Sequence, residues 1–104
     1  MAQLKLWIDD IREPLDGYMW IKSVNEAKKI IEENNINNYD SIIINLDHDA
    51  GDYANDGGDY IKLLDWLEFM NIVDNTFTFH IHSMNPVGVQ NMRNIIEHNE
   101  WRYI

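Results

Sequence analysis

Cysteine is absent from the chain, which excludes disulfide bonds and metal sites built on thiolates. A chain without cysteine fits a reducing compartment, so we expect a cytoplasmic protein. The first ten residues, MAQLKLWIDD, contain neither a basic segment nor a long apolar run. We therefore expect no signal peptide, no membrane span and no membrane partner.

Basic residues are scarce, since eight Lys and Arg stand against 18 Asp and Glu and the formal net charge is −10. General attraction to nucleic-acid phosphates requires a basic face, so the net charge argues against this class of binding. A small phosphorylated ligand remains compatible with the composition if a metal or local donors neutralise it. The length of 104 residues predicts a single domain, 1–104, with one modest core.

Apolar runs alternate with helical patterns along the chain. Strands are predicted over residues 4–8, 20–22, 41–45 and 77–82 and within 101–104, and helices from Ser23 to Asn34–Asn35, over 58–70 and from Asn85 onward. This alternation predicts a small three-layer α/β fold with helices on both faces of a mostly parallel sheet of about four to five strands. The strand near Leu4 should lie beside the strand at 41–46. The link between the first two strands is short for a crossover helix, so a reduced first helix is expected.

The predicted helices have start signals and inward faces that can be read from the sequence. Ser23 and Glu26 have the spacing of a capping box. The expected inward side chains are Val24, Ala27, Ile30 and Ile31 in the first helix, Ile61, Leu64, Trp66 and Leu67 in the second, and Val89, Met92, Ile95 and Ile96 in the third.

Polar side chains follow three of the predicted strands at the points where they end. They are Asp9 and Asp10 after the first strand, Asp47, His48 and Asp49 after the third, and His82, Ser83 and Asn85 after the fourth. In open parallel sheets, ligands bind beyond the carboxyl ends of the strands. Residues 45–60 alone contain five aspartates, without the spacing of an EF-hand loop. We therefore expect this edge of the sheet to form one wall of a ligand site.

Four segments of the chain resemble successive motifs of the cyclic-phosphate processing receiver domains, which are small relatives of the response-regulator receivers. The segments are LWIDDIREP, NLDHDAG, DGGDYIKLLDWL and HSMNPVGVQNM, and they extend over nearly the whole chain. One departure is Ala50, where a larger aliphatic residue is usual. The resemblance implies a receiver-like, flavodoxin-like fold and a cyclic phosphate as the ligand that is processed.

The resemblance also implies roles for the acidic residues. In receivers, the pair equivalent to Asp9 and Asp10 holds Mg²⁺, because a hard cation takes carboxylate oxygens. Asp47 lies at the receiver phosphoacceptor position, so it is either a third ligand of Mg²⁺ or Mn²⁺ or a nucleophile. Asp49 either joins the metal ligands or turns away and organises the loop. Carboxylates this close should repel one another, so without metal at least one should titrate above its ordinary pKa. The plain alternative for the acidic pair is a solvated strand end.

Two histidines are candidates for proton transfer. His82 lies next to a strand end, and His48 lies between two aspartates, which suits a general acid or a phosphate contact. His48 is alternatively a structural partner of Asp49. His80 is expected to be a hydrogen-bonded core residue, and His98 to be a surface residue at a helix C-terminus.

The segment that starts the third helix is a candidate phosphate site. Asn85 and Pro86 are typical of an N-cap and the first helical position, and the amides of the first turn have no partner within the helix. These amides and Ser83 are expected to form an anion site, and Gly88, which has no side chain, would let a ligand approach it closely. Arg12 either reaches the same phosphate with its forked donors or pairs with a carboxylate. The plain alternative is an ordinary capped helix.

Three functions are compatible with these residues. The first is a metal-dependent enzyme that opens a cyclic phosphate, of a nucleotide or an RNA-derived end. The second is a module that binds such a ligand without turnover, and the third is a conventional receiver that is phosphorylated on Asp47. A conventional receiver carries a lysine at the end of its last strand, whereas this chain has no lysine after Lys62. This absence favours the first two functions.

Overall fold

The computed structural model of the chain describes residues 3–33, 39–70 and 76–104. In chain order the elements are β1 (Gln3–Ile8), β2 (Met19–Ile21), α1 (Val24–Glu33), β3 (Ser41–Leu46), a 3₁₀ turn (Gly51–Tyr53), α2 (Ile61–Phe69), β4 (Phe77–Ile81), α3 (Pro86–His98) and β5 (Arg102–Tyr103). Within these described ranges, no helix is long and apolar enough to cross a membrane.

The strands form one sheet in the order β2-β1-β3-β4-β5, and every neighbouring pair is parallel. The predicted neighbours β1 and β3 pair in register, with Leu4 opposite Ile42 and Ile8 opposite Leu46. Strand order reverses at β1, because the chain moves one way to β2 and the other way to β3. The predicted small, receiver-like α/β fold is confirmed.

The core lies on one face of the sheet, and all three described helices pack on that face. The predicted helices on both faces are therefore wrong for the described residues, because the link between β1 and β2, which would cover the other face, contains no helix. Alternate side chains of the central strands, such as Leu6, Ile44 and Phe79, are buried in the same cluster as the apolar side chains of all three helices. Within this layer, α2 contacts both α1 and α3. The predicted inward faces are largely confirmed, but in α2 the buried residues are Leu63, Leu64 and Leu67, while Ile61 and Trp66 are only partly buried.

The predicted second helix begins three residues later than expected, at Ile61. Gly57 and Gly58 have φ values of 112° and 89°, and this left-handed conformation cannot continue into a right-handed helix. One half of the predicted capping box at Ser23 is confirmed, since Ser23 Oγ accepts from the Glu26 amide at 3.0 Å. The Glu26 side chain, however, accepts from the Lys22 amide rather than from that of Ser23. The predicted end of the first helix, at 34–35, lies outside the described residues.

The link between β1 and β2, residues 9–18, contains no helix. A reduced first helix was expected. Pro14 and Gly17, whose φ is 89°, instead prevent a regular helical turn in this link. The link instead passes over the side of β1 that faces away from the helices. There the Trp7 indole donates to the Arg12 carbonyl at 2.9 Å and meets the Tyr18 ring edge-on at 5.8 Å. Trp7 is therefore buried without a helix above it.

Candidate functional site

The carboxyl ends of three adjacent strands bring Asp9, Asp47 and His82 together. Each residue directly follows its strand, and the register holds them level, because the Asp47 amide donates to Ile8 and the His82 amide donates to Leu46. One potential ligand atom from each of the three lies within 4.8 Å of the others. The edge of the sheet thus collects two carboxylates and an imidazole from distant parts of the chain, as the strand-end pattern predicted.

Asp9 is the most constrained residue of this group, with a relative exposure of 2%. Its Oδ1 accepts from the amides of Ile11 and Arg12, both at 3.0 Å, and its Oδ2 contacts His82 Nε2 at 2.8 Å. Burial raises the pKa of Asp9, but the two amides and His82 outweigh it and hold the pKa below its usual value. The Asp9 carboxylate is therefore held ionised, with its Oδ2 directed towards His82.

Asp10 lies beside this group and packs against Gly51. A Cβ at Gly51 would overlap Asp10 Oδ2, and the φ of Gly51 is 56°, so only glycine suits the position. Burial and the negative charges of Asp9 and Asp47 raise the pKa of Asp10. The expectation that one carboxylate would titrate above its ordinary value holds for Asp10.

His82 is fixed from several sides. Its Nδ1 is hydrogen-bonded to the Asn45 side-chain oxygen, and its ring stacks on Trp7 with 4.2 Å between centroids and an interplanar angle of 10°. Its carbonyl accepts from Arg12 Nη1 at 3.2 Å, which places that guanidinium at the same edge of the sheet. Both ring nitrogens of His82 are thus engaged, so this ring is held in position rather than free to turn.

Trp7 and Asn45 were not among the predicted site residues. The signal in the sequence was Asn45 itself, a polar residue between the apolar residues Ile44 and Leu46, which is buried with 7% exposure. In the sheet, Trp7 is paired with Asn45 and Asn45 with His80, so these side chains share the face turned away from the helices.

His48 and Asp49 form a second, adjoining pair. His48 Nδ1 lies 2.7 Å from Asp49 Oδ1, and the His48 amide donates to Asp47 Oδ1 at 2.7 Å. Asp49 is exposed, and among the described residues it is not part of the group that could hold a metal. Of the two alternatives for Asp49, the structure favours the one in which the side chain turns away from the metal ligands, since it pairs with His48.

Gly88, at which an anion was expected to approach, is in contact with the His48 side chain. The His48 ring packs so closely on Gly88 that a Cβ would overlap it. The Gly88 amide donates to Asn85 Oδ1 at 3.0 Å, and the Asn85 amide donates to Ser83 Oγ at 3.1 Å. Asn85 is thus confirmed as the N-cap of α3, but the Gly88 amide, one of the expected anion donors, is already used within the protein. Asn85 Nδ2 also approaches His48 Nδ1 at 3.5 Å, the outer limit of a hydrogen bond.

The other two histidines lie away from this edge. His80 Nδ1 is hydrogen-bonded to the Ile104 carbonyl at 2.7 Å, as expected, although the residue is half-buried rather than in the core. His98 is exposed in the last turn of α3, also as expected.

The strand order and the acidic residues that follow β1 and β3 define a receiver-like domain. The chain belongs to the cyclic-phosphate processing receiver domain family, whose family model matches residues 4–98. The resemblance in the sequence is thereby confirmed over nearly the whole chain. No curated protein and no solved structure gives a significant match.

Proposed function

We propose that the protein is a metal-dependent phosphoesterase that opens a cyclic phosphate at the carboxyl edge of its sheet. The observation that carries the proposal is the convergence of Asp9, Asp47 and His82 within 4.8 Å in a member of a family described as processing cyclic phosphates. Its ligand would be a small phosphorylated molecule, in agreement with the net charge of −10, which disfavours general nucleic-acid binding.

The residues present fit a divalent cation. Two carboxylates suit Mg²⁺ or Mn²⁺. Burial and the negative charges of Asp9 and Asp47 raise the pKa of Asp10, and a cation would neutralise that charge. His82 would join as a third ligand through Nε2, which would exchange its hydrogen bond to Asp9 for the cation, while Nδ1 keeps its hydrogen bond to Asn45 Oδ1 and orients the ring. When bound, such a cation polarises phosphoryl oxygens and lowers the pKa of a bound water.

His48 is the better placed of the two candidate histidines for proton transfer. Asp49 accepts from its Nδ1, which orients the ring, and no hydrogen-bond partner of Nε2 is found among residues 3–33, 39–70 and 76–104. His82 has both nitrogens engaged, so we assign it to metal binding rather than to proton transfer. Arg12, Ser83 and Asn85 remain candidates for contacts with the phosphate, because they lie at the same edge of the sheet.

The proposed reaction is hydrolysis of one ester bond. The oxygen of water forms a bond to phosphorus, one of the two ring P–O bonds breaks, and the product is a phosphomonoester with a free hydroxyl. The water loses a proton and the departing alkoxide gains one, and His48 is placed to carry one of these transfers. In the alternative course Asp47 attacks phosphorus itself. Against this, one Asp47 oxygen already accepts from the His48 amide.

The proposal is tested by ³¹P NMR of a panel of cyclic phosphates incubated with the protein and Mg²⁺ or Mn²⁺. We expect ring opening that stops when the cation is chelated and that is lost in Asp47→Asn. The matched control is Asp52→Asn, an exposed carboxylate in the same loop. Binding of a cyclic phosphate without turnover under both cations would overturn the enzymatic proposal and leave a binding module.

A further inference from the structure

A cavity of about 370 Å³ lies at the same edge of the sheet, outside the group of potential metal ligands. It is lined by Trp20, Lys22, Ser23, Glu26, Tyr53 and Asp56. Its volume lies within the range of ligand sites for small molecules, about 300–1,000 Å³. None of its lining residues was among the predicted site residues.

Two of the lining residues connect the cavity to the proposed metal site. The Trp20 indole donates to the Asp9 carbonyl at 2.8 Å. Tyr53 ends the 3₁₀ turn that begins at Gly51, the residue against which Asp10 packs. These contacts place the cavity beside the proposed metal site, on the side of β2.

The walls of the cavity offer two aromatic rings and one ammonium. Lys22 Nζ lies 4.5 Å from the centroid of the Trp20 ring and 5.9 Å from that of Tyr53. Among the described residues, Lys22 has no carboxylate within ion-pair distance. In a chain with more than twice as many acidic as basic residues, this places an unpaired cation beside the proposed site.

The acidic residues of the cavity are engaged elsewhere. Glu26 Oε1 accepts from the Lys22 amide at 2.9 Å, and Asp56 Oδ1 accepts from Asn25 Nδ2 at 3.0 Å. Hydrogen bonds from the Ser23 and Asn25 side chains also hold the pKa of Asp56 below its usual value. Each carboxylate is thus partly satisfied within the protein, and the aromatic faces and the Lys22 ammonium offer the contacts that an uncharged aromatic ligand can use.

We propose that Trp20, Lys22 and Tyr53 form a subsite for a nucleobase, so that the substrate is a nucleoside cyclic phosphate. This inference rests on the proposed function. A base stacks on aromatic rings whatever its identity, and an ammonium donates to the carbonyl or ring-nitrogen acceptors at its edge. A cationic ligand such as a quaternary ammonium, which the aromatic rings and the carboxylates of Glu26 and Asp56 also attract, is the competing occupant. It fits less well because the Lys22 ammonium already lies over both rings.

Binding of the base requires a small movement of Lys22. The contact of an ammonium with an exposed ring is weak, and the lysine side chain has four rotatable bonds. We expect the ammonium to leave the ring face and to meet the edge of the base.

The test compares 2′,3′-cyclic AMP, glycerol 1,2-cyclic phosphate and adenosine as probes, with turnover and binding measured separately. Binding is followed by the Trp20 indole resonance in ¹⁵N-edited NMR spectra. We expect 2′,3′-cyclic AMP to bind at least about tenfold more tightly than the glycerol compound. Tyr53→Ala and Lys22→Gln should remove most of this difference.

Matched controls are available on α1 and α2. Lys28 also lies over a tryptophan, with its Nζ 5.8 Å from the Trp66 ring, and Phe69 is an exposed aromatic residue at the end of α2. Lys28→Gln and Phe69→Ala should leave both affinities unchanged.

The outcomes separate this inference from the function on which it rests. If both cyclic phosphates are opened equally and the cavity variants change nothing, the subsite is overturned and the phosphoesterase stands. If nothing is opened but 2′,3′-cyclic AMP and adenosine bind and Tyr53→Ala weakens them, the phosphoesterase is overturned and the subsite stands. Absence of both turnover and binding overturns both.

Discussion

Asp9 and His82 are 73 residues apart along the chain, and their side chains meet at 2.8 Å. The contact joins the ends of β1 and β4, two strands that are separated in the sheet by β3. Asp9 is buried and His82 is mostly covered, with side-chain exposures of 2% and 10%. Because the contact unites a carboxylate and an imidazole next to Asp47, a cation bound there would connect three strands at once.

Metal binding should stabilise the fold. A cation that binds only the folded chain adds about 2.7 kcal/mol at a concentration 100-fold above its Kd. For a domain of this size that corresponds to a rise in Tm on the order of 10 °C. Thermal melting with and without millimolar Mg²⁺ or Mn²⁺ measures it. Asp9→Asn and Asp47→Asn should abolish the rise and Asp52→Asn should not; a wild-type Tm indifferent to both cations contradicts the proposed site.

Asp10→Asn should stabilise the metal-free protein at neutral pH. Since the pKa of Asp10 is raised in the folded state, its ionisation costs stability as pH rises from the unfolded to the folded pKa. The variant should therefore melt higher than the wild type at pH 7 in the presence of a chelator. The difference should shrink as pH falls below about 4, the ordinary pKa of an aspartate. A variant that melts lower at pH 7 would show that the Asp10 carboxylate is stabilising.

Gly88→Ala should destabilise the protein, against the usual trend. Within a helix, alanine is ordinarily about 1 kcal/mol more favourable than glycine. Here the added Cβ would overlap the His48 ring, so we expect a net loss of stability and a displaced imidazole. In a His48→Ala background the space opens and the same change should become stabilising. Chemical denaturation of the four proteins of this cycle measures the coupling, and additive effects would contradict the contact.

Substitutions of His48 and His82 should have different effects on turnover and on metal binding. His48→Gln should reduce turnover by about 100-fold or more, the usual contribution of a general acid or base, with the metal-dependent rise in Tm retained. His82→Ala should lose that rise together with turnover. His98→Gln, at the exposed end of α3, serves as the control and should leave both unchanged. Equal loss of metal binding in the His48 variant would contradict its assignment to proton transfer.

The sequence was sufficient to place the strand ends, and therefore Asp9, Asp47 and His82. Alternation of strands and helices determines a parallel sheet, and in such a sheet residues that follow neighbouring strands share one edge. The start of α3 was equally clear, because Asn85 and Pro86 are strong local signals that depend on no distant residue.

Contacts between distant residues could not be predicted in the same way. Gly88 was expected to admit a ligand, but it admits His48, which lies forty positions earlier, and nothing local to Gly88 encodes that neighbour. The stacking of Trp7 on His82 likewise depends on the register of β1, β3 and β4. The helix predicted over 58–70 begins later, at Ile61, because the positive φ of Gly58 excludes it from the helix, and the sequence alone does not show which φ a glycine adopts.

The parallel order β1-β3-β4 also bears on when the site comes into existence during folding. Each of its pairings closes a long stretch of chain, and sheets built from such distant pairings fold slowly. The cluster of Asp9, Asp47 and His82 is complete only when all three strands have docked, so early collapsed states offer the cation no site. A cation should consequently slow unfolding while leaving the refolding rate nearly unchanged.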